Sequence, residues 1–310
     1  MSHATHDGQI ALTTQPLKPI RVGKHWAPTH TWAAILKFIS TKPLGAIGGG
    51  VIFLMVLTAL FADVLAPYDP YEISQRLQFK PPSAQHWLGT DEFGRDMLTR
   101  LIYGARIALF IGFTAAFAGA TTGAMLGVIS AYWGGKVDLI LQRVMDVILA
   151  FPLLILALAI VSVLGRSLPN VVLAIAIPII PRTTRIVRSN ALSIKEHIYV
   201  EAARAVGSSH RWIILRHIIP NVMAPYLIML TAQFGTAILV EASLSFLGLG
   251  TAEPTPSWGL MLSGSAPSYA EKAPWVAIFP GLAISLAVFS FNLFGDSLRD
   301  ALDPKLRHRT

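Results

Sequence analysis

Two glycine–lysine pairs, Gly23–Lys24 and Gly135–Lys136, are the residues that could bind the phosphates of a nucleotide. A phosphate-binding P-loop has another glycine five positions before the paired glycine and a serine or threonine directly after the lysine. These residues surround the phosphates and their metal ion with N–H and hydroxyl groups. Neither pair has either feature. The chain is therefore not expected to bind ATP through such a loop.

Histidine and acidic side chains are the other candidates for chemistry, as metal ligands or proton carriers. No zinc-protease pattern of two histidines four residues apart occurs. The candidates near the predicted spans, Asp63, Arg143, Asp146 and Glu241, all lie toward the span ends. Proton-relay transporters place such groups inside these runs, so ion-coupled transport is disfavoured but stays open. The histidines, all outside the runs, are His3, His6, His25, His30, His86, His197, His210, His217 and His308.

The basic region before Pro220 has the signals of a short helix that could bind another protein. Ser193 and Glu196 form a capping-box pattern, which predicts a helix start. The helix would end at Gly207, because glycine takes the left-handed conformation after a helix at little cost. Ser208 would cap the next helix, which runs toward Pro220. A compact helix between two turns suits docking into a cleft of a partner protein. A solvated turn is the alternative.

The composition indicates that a membrane surrounds these elements. Of the 310 residues, 53% are hydrophobic and 14% charged, and the mean hydropathy is +0.56. Soluble proteins carry roughly 25% charged residues. A soluble globular protein, a disordered chain and a collagen are excluded, and the lack of cysteine excludes a disulfide framework. The net charge of +8 fits positive residues flanking a membrane better than nucleic-acid binding, since no basic groove with interleaved aromatics is evident.

Six membrane-spanning helices are predicted. Five apolar runs are long enough to be spans, and a sixth, 167–181, is short and contains three prolines. If this sixth run also counts as a span, the strongly basic region 182–217, with seven bases and two acids, lies on the inner side. Both termini are then inside, and the loop 67–103 is outside. Each of the five longer runs is at least 19 residues, close to the roughly 20 that cross a bilayer. These runs are 44–62, 107–135, 147–165, 218–240 and 273–295.

Local patterns predict how some of these helices are built. The third is expected over 137–164, with Arg143 and Asp146 paired on one face. The stretch 242–252 is too short to cross a bilayer and is predicted to be re-entrant or interfacial. The second helix, near 105–132, carries a stripe of small residues at four-residue spacing that predicts close packing against another helix. The stripe consists of Gly119, Gly123 and Gly127.

The segment 201–220 resembles the EAA loop of permease subunits in ATP-binding-cassette importers. The matching residues are Glu201, Ala202, Ala203, Gly207, Ile219 and Pro220. The chain departs from the general pattern at His217, where isoleucine is favoured, and at Ile219, where leucine is favoured. Neither departure touches the short helix.

Other motifs narrow the resemblance to the dipeptide/oligopeptide and nickel transport family, and to its second, C-type membrane subunit. The resemblance covers about residues 40–305. It implies an all-α polytopic membrane protein of the bacterial inner membrane, with six transmembrane helices and a cytoplasmic coupling helix, the type I importer permease fold. The motifs are 88–96, 241–250, 254–259 and 291–304.

The resemblance implies one half of an importer rather than an enzyme. A sister permease subunit would complete the path, two cytoplasmic ATPase subunits would hydrolyse ATP, and an extracytoplasmic binding protein would deliver a dipeptide or oligopeptide. The chain would contact lipid, bind no nucleic acid and need no cofactor or metal. Nickel and glutathione are alternative substrates. An ion-coupled transporter and a structural membrane protein are alternatives from other classes, but both leave the EAA-like loop unexplained. By analogy only, the second, third and fifth spans line the path; no substrate-binding residue is assigned.

The resemblance also assigns two sets of site residues. The ATPase-coupling set is Glu201, Ala202, Ala203, Arg204, Ala205, Gly207 and Ser208. The extracytoplasmic set, which either contacts the substrate-delivering protein or forms a locally paired loop, is Gly89, Thr90, Asp91, Gly94, Arg95 and Asp96. Asp296, Arg299 and Asp300 are expected to end the last span. The expected divisions are a tail 1–43, a first span 44–66, the loop 67–103, a core 104–298 containing the coupling loop 190–220, and a tail 299–310.

Overall fold

A computed structural model describes residues 39–263 and 271–302, and within these ranges the chain is helical, without paired strands. Of the predicted tails 1–43 and 299–310, residues 1–38 and 303–310 lie outside the described residues. The α-helices are α1 (Pro43–Leu60), α2 (Ala62–Leu65), α3 (Met97–Trp133), α4 (Gly135–Leu149), α5 (Leu153–Leu164), α6 (Leu168–Lys195), α7 (Ile198–Ala205), α8 (His210–Ile213), α9 (Ile219–Phe246), α10 (Trp258–Leu262) and α11 (Trp275–Leu302).

Among the described residues, five helical segments are long and apolar enough to cross a membrane, and the α4–α5 pair brings the number to six if it counts as one span. The continuous third helix predicted over 137–164 is wrong, because α4 and α5 meet at 90°. Pro152 stands directly before α5 and has no N–H with which to continue α4. The second span also differs, since α3 begins at Met97, inside the predicted loop 67–103.

The fourth and fifth spans are longer than their apolar runs. Helix α6 continues past the run 167–181 to Lys195, with Pro178 and Pro181 inside it, so the first part of the predicted internal loop is helical. A π-helical segment, Ile214–Ile218, joins α8 to α9, and the chain does not break at Pro220. Helix α9 extends to Phe246. The prediction of a separate element over 242–252 is therefore wrong for its first residues.

The predicted glycine stripe on α3 packs against α6, as expected. A Cβ at Gly119 would lie 2.7 Å from the carbonyl oxygen of Ala176. A Cβ at Gly123 would lie 2.6 Å from that of Ile180. Side chains at these positions would force the two backbones apart, so the glycines permit close contact between α3 and α6.

Helix α3 connects the two ends of the bundle. It starts beside the 67–96 loop and ends beside α7 and α8, and its 37 residues span about 55 Å at a rise of about 1.5 Å per residue. Helix α9 packs between α3 and α11, and α1 packs along α11. The segment before α10 is tied to α9 through Glu241, a buried carboxylate that accepts hydrogen bonds from Ser245 Oγ and Ser257 Oγ.

Candidate coupling helix and outer-loop motif

The short helix of the EAA-like segment is α7, but it begins later than predicted. Ser193 lies inside α6 and Glu196 directly follows it, so the capping-box prediction is wrong. His197, in an extended conformation, precedes α7. Val200 is fully buried and holds α7 against a hydrophobic cluster that includes Ile194 and Ile213. Packing of this apolar anchor, rather than a side-chain cap, fixes where α7 lies.

The end of α7 is the predicted glycine turn. Gly207 has φ +77°, the left-handed conformation expected for it. The N–H of Gly207 donates to the carbonyl of Arg204 at 2.9 Å, and the N–H of Ser208 donates to that of Ala203 at 3.0 Å. This is the Schellman hydrogen-bond pair, which satisfies the last carbonyls of a helix. Ser208 does not cap the next helix, because Ser209 takes that role with its side chain accepting from the N–H of Trp212.

The face of α7 that points away from the bundle carries alanines and charged residues, and nothing in the described part of the chain covers it. Glu201, Ala202, Arg204 and Ala205 are exposed on it. Large apolar side chains stand at both ends, since Ile198 is 84% exposed and Val206, directly after the helix, is 81% exposed. Exposed apolar groups beside alanines form a surface that a cleft in another protein could cover.

Side chains at the end of α3 hold this region to the bundle, and sequence reasoning missed them. Tyr132 Oη lies 2.6 Å from Nδ1 of His210 at the start of α8. The guanidinium of Arg204 lies 5.6 Å from the centre of the Tyr132 ring. Lys195 Nζ donates to the carbonyl of Ala131 at 3.2 Å. One turn of α3 thus contacts α6, α7 and α8, so these elements can move together. No sequence motif marks Tyr132, and only the fold shows its neighbours.

Ion pairs join α4 to α6 at the same end. Arg188 binds Asp138 with two N–H groups, and Arg185 binds Asp146. The predicted pair within α4 is present but long, with 3.9 Å between Arg143 and Asp146. Asp146 therefore mainly connects two helices. On α11, Asp300 pairs with Lys42 at 2.7 Å, next to the start of α1.

The outer-loop motif forms a buried hydrogen-bonded turn at the other end of α3. The carboxylate of Asp91 accepts from the backbone N–H groups of Phe93 and Arg95, both at 2.9 Å. Arg95 Nε donates to Asp91 at 2.6 Å, and another Arg95 nitrogen donates to Glu253 at 2.9 Å. Gly94 has φ +72°, which a residue with a side chain rarely adopts. The local pair predicted between Asp91 and Arg95 is confirmed.

The rest of the motif starts α3 and packs the loop onto α11. Asp96 caps α3 by accepting from the N–H and hydroxyl of Thr99, and it also contacts His86 Nδ1 at 3.0 Å. The carbonyl of Thr90 accepts from the indole of Trp275 at 3.1 Å. Because the polar side chains of the motif are buried and partnered inside the chain, their geometry favours a structural role over direct contact with a second protein.

No group of three or more histidine, aspartate or glutamate side chains placed to hold a metal occurs among residues 39–263 and 271–302. The buried carboxylates of that region are instead bound by arginine, hydroxyl and backbone N–H groups.

Two family models match the chain. The model of the binding-protein-dependent transport system inner membrane component matches residues 123–308. The N-terminal TM domain of oligopeptide transport permease C matches residues 31–82. The first covers the last part of α3 and every later helix given above, and the second covers α1.

Whole-length relatives and a solved structure agree with these matches. The dipeptide transport system permease protein DppC of Alkalihalophilus pseudofirmus is 42% identical over 98% of this chain and 99% of its own. A peptide transport system permease protein of Brucella suis is 46% identical over 84% of this chain and 88% of its own. The glutathione transport system permease protein GsiD of Shigella boydii is 46% identical over 96% of this chain and 97% of its own. The inward-facing MetNI methionine ABC transporter aligns with TM-score 0.55 at 18% identity, covering 67% of this chain and 98% of that chain, which shows a shared fold. The chain therefore belongs to the family of binding-protein-dependent transport system inner membrane components, the non-catalytic, multi-span permease subunits of ABC importers, whose ATP is hydrolysed by partner subunits.

Proposed function

We propose that this chain is one of two permease subunits of an ATP-driven importer of dipeptides or short oligopeptides. A sister permease completes the path, two ATPases act from the cytoplasm, and an extracytoplasmic binding protein supplies the peptide. The support for the substrate class is that relatives over nearly the whole chain are named as dipeptide and peptide permeases.

The observation that carries the coupling role is the geometry of α7. It is a rigid helix closed by the Gly207 turn, anchored by Val200, and exposed along its small-residue face. When the ATPases close on ATP, a cleft that holds α7 would move it as a body, and Tyr132 would pass that motion to α3. Alternating access needs such a connection between the ATPases and the spans.

The orientation follows from charge. The end of the bundle that carries α7 also carries the basic residues of 182–217, in which seven bases exceed two acids. Positive residues in short loops are retained in the cytoplasm. We therefore place α7 and both termini in the cytoplasm, and the outer-loop motif outside.

Glutathione import is the second candidate, because GsiD proteins are as similar to this chain as the peptide permeases are. Glutathione is itself a short peptide with free carboxylates, so both candidates require the same kind of path. Nickel import has no support from the described residues, among which no metal-holding group occurs.

Uptake by the reconstituted complex tests the proposal. The chain, its sister permease, the ATPases and the binding protein encoded beside it are placed in proteoliposomes, and uptake of labelled dipeptide, glutathione and Ni²⁺ is measured with and without ATP. We expect ATP-dependent uptake of dipeptide. Dipeptide uptake that is independent of ATP and driven by an ion gradient would contradict the importer, and ATP-driven uptake of Ni²⁺ alone would contradict the substrate class.

A further inference from the structure

A polar cleft lies between α6, α9 and α11, separate from α7 and from the outer-loop motif. Its volume is about 440 Å³, within the roughly 300–1,000 Å³ of pockets that hold small molecules. All three helices belong to segments that can cross a membrane. The polar side chains lining the cleft are Arg182, Gln233, Thr236, Asn292, Asp296 and Arg299.

The charged side chains of the cleft differ from other charges on the same helices because they have no partner in the described part of the chain. Arg185, about one turn after Arg182, binds Asp146. Arg188, about two turns after Arg182, binds Asp138. No hydrogen bond or ion pair within residues 39–263 and 271–302 involves the Arg182 side chain. Arg182 is exposed, so its guanidinium is available to a ligand in the cleft.

Gln233 is an independent sign of a ligand. Its side chain lines the cleft and the residue is only 3% exposed, yet it forms no hydrogen bond in the described region. Its amide is therefore available to hydrogen-bond a molecule that enters the cleft. The neighbouring wall is kept open by Gly235, where a Cβ would lie 3.1 Å from Asn292 Oδ1. The cleft thus combines charges of both signs with amide groups that have free hydrogen-bonding capacity.

We propose that this cleft is a passage subsite that holds a short peptide by its charged ends, an inference that rests on the proposed function and specifies it. Arg182 and Arg299 face the α-carboxylate, Asp296 faces the α-ammonium, and Gln233 and Asn292 satisfy the peptide amide. Two guanidinium groups against one carboxylate leave a positive excess. Such a site attracts zwitterionic or anionic peptides and repels a free divalent cation.

The test compares peptides that differ only at the carboxyl end. Ala-Ala and its C-terminal amide are supplied to the assembled importer in proteoliposomes, at concentrations that saturate the binding protein. The variants are Arg182→Gln/Arg299→Gln and, as a control with equal chemistry, Arg166→Gln, which lies exposed in the turn before α6. All permease variants share one binding protein, so a changed ratio of the two uptake rates belongs to the permease.

We expect the double variant to slow Ala-Ala uptake by roughly tenfold, the loss of a charged hydrogen bond, while amide uptake, ATPase retention and Arg166→Gln stay at wild-type values. Asp296→Asn is an independent variant that should slow Ala-Ala but not N-acetyl-Ala-Ala. Equal slowing of Ala-Ala and its amide, or no slowing in any variant, overturns the subsite while leaving peptide import intact. A wild-type complex that imports neither peptide overturns the proposed function as well.

Discussion

Gly207 gives the most direct test of the coupling helix. Its φ of +77° is strained for a β-branched residue, and no atom lies within 4 Å of a Cβ placed there. Gly207→Val therefore acts through backbone strain of about 1–2 kcal/mol, without a clash. We expect it to reduce ATPase retention in pull-downs roughly 5- to 30-fold and to lower uptake, with normal membrane insertion.

Gly207→Asn is the matched control, because asparagine tolerates the left-handed conformation. It should retain the ATPase nearly as well as wild type. Equal retention by the valine and asparagine variants would remove the turn from the coupling mechanism. This glycine could be predicted because it stands just past the end of an alanine-rich helix. The start of α7 could not, because it depends on Val200 reaching a cluster built from distant segments.

Gly94 tests the structural role of the outer-loop motif. A Cβ there would lie 1.9 Å from the carbonyl oxygen of Ser74, in addition to the strain of φ +72°. Gly165 has φ +87° with nothing within 4 Å, so it reports strain alone. We expect Gly165→Ala to cost about 1 kcal/mol and Gly94→Ala to lower the melting temperature and the monodisperse yield clearly more. Equal effects of the two substitutions would show that the loop does not pack as described.

At the scale of helices, the contact between α3 and α6 depends on the glycine stripe. A leucine at Gly123 would meet the Ile180 carbonyl, which is backbone and cannot rotate away. Overpacking of this kind costs about 1–3 kcal/mol. Gly123→Leu should lower the melting temperature in detergent, whereas Gly50→Leu, at a position on α1 with open space, should not. Similar melting temperatures would place the stripe outside the helix interface.

The stripe was predictable because its spacing is local information, whereas the helix breaks were not. Runs of apolar residues show where the chain is buried in lipid, but they do not show where a helix ends. Helix α6 continues beyond its run because its basic residues pair with acids on α4. The 90° bend between α4 and α5 lies within apolar sequence that reads as one span. The polar cleft lies on the fourth, fifth and sixth spans. That the second, third and fifth spans line the path stays a prediction by analogy.

For the whole molecule, ATP hydrolysis should require the partner subunits. Neither glycine–lysine pair has the P-loop pattern, and Gly135–Lys136 lies at the start of α4. The purified chain should release no phosphate from ATP, and addition of its ATPases, sister permease and binding protein should give hydrolysis stimulated by peptide. Hydrolysis by the chain alone, free of contaminating ATPase, would refute this division of labour.

The orientation of the whole bundle can be measured by cysteine labelling, since no native cysteine competes. Helix α3 separates the outer-loop motif from α7 by about 55 Å, so the two ends must face opposite sides of a bilayer.

Trp87→Cys suits the outer end because Trp87 is 71% exposed, whereas Asp91 is only 5% exposed and too buried to react. Glu201→Cys suits the other end, where Glu201 is exposed. An impermeant maleimide applied to intact cells expressing the chain should label the first position at once and the second only after permeabilisation, because the basic excess of 182–217 holds that end in the cytoplasm. The reverse pattern would mean that the charge bias does not set the topology, and α7 could then not meet a cytoplasmic ATPase.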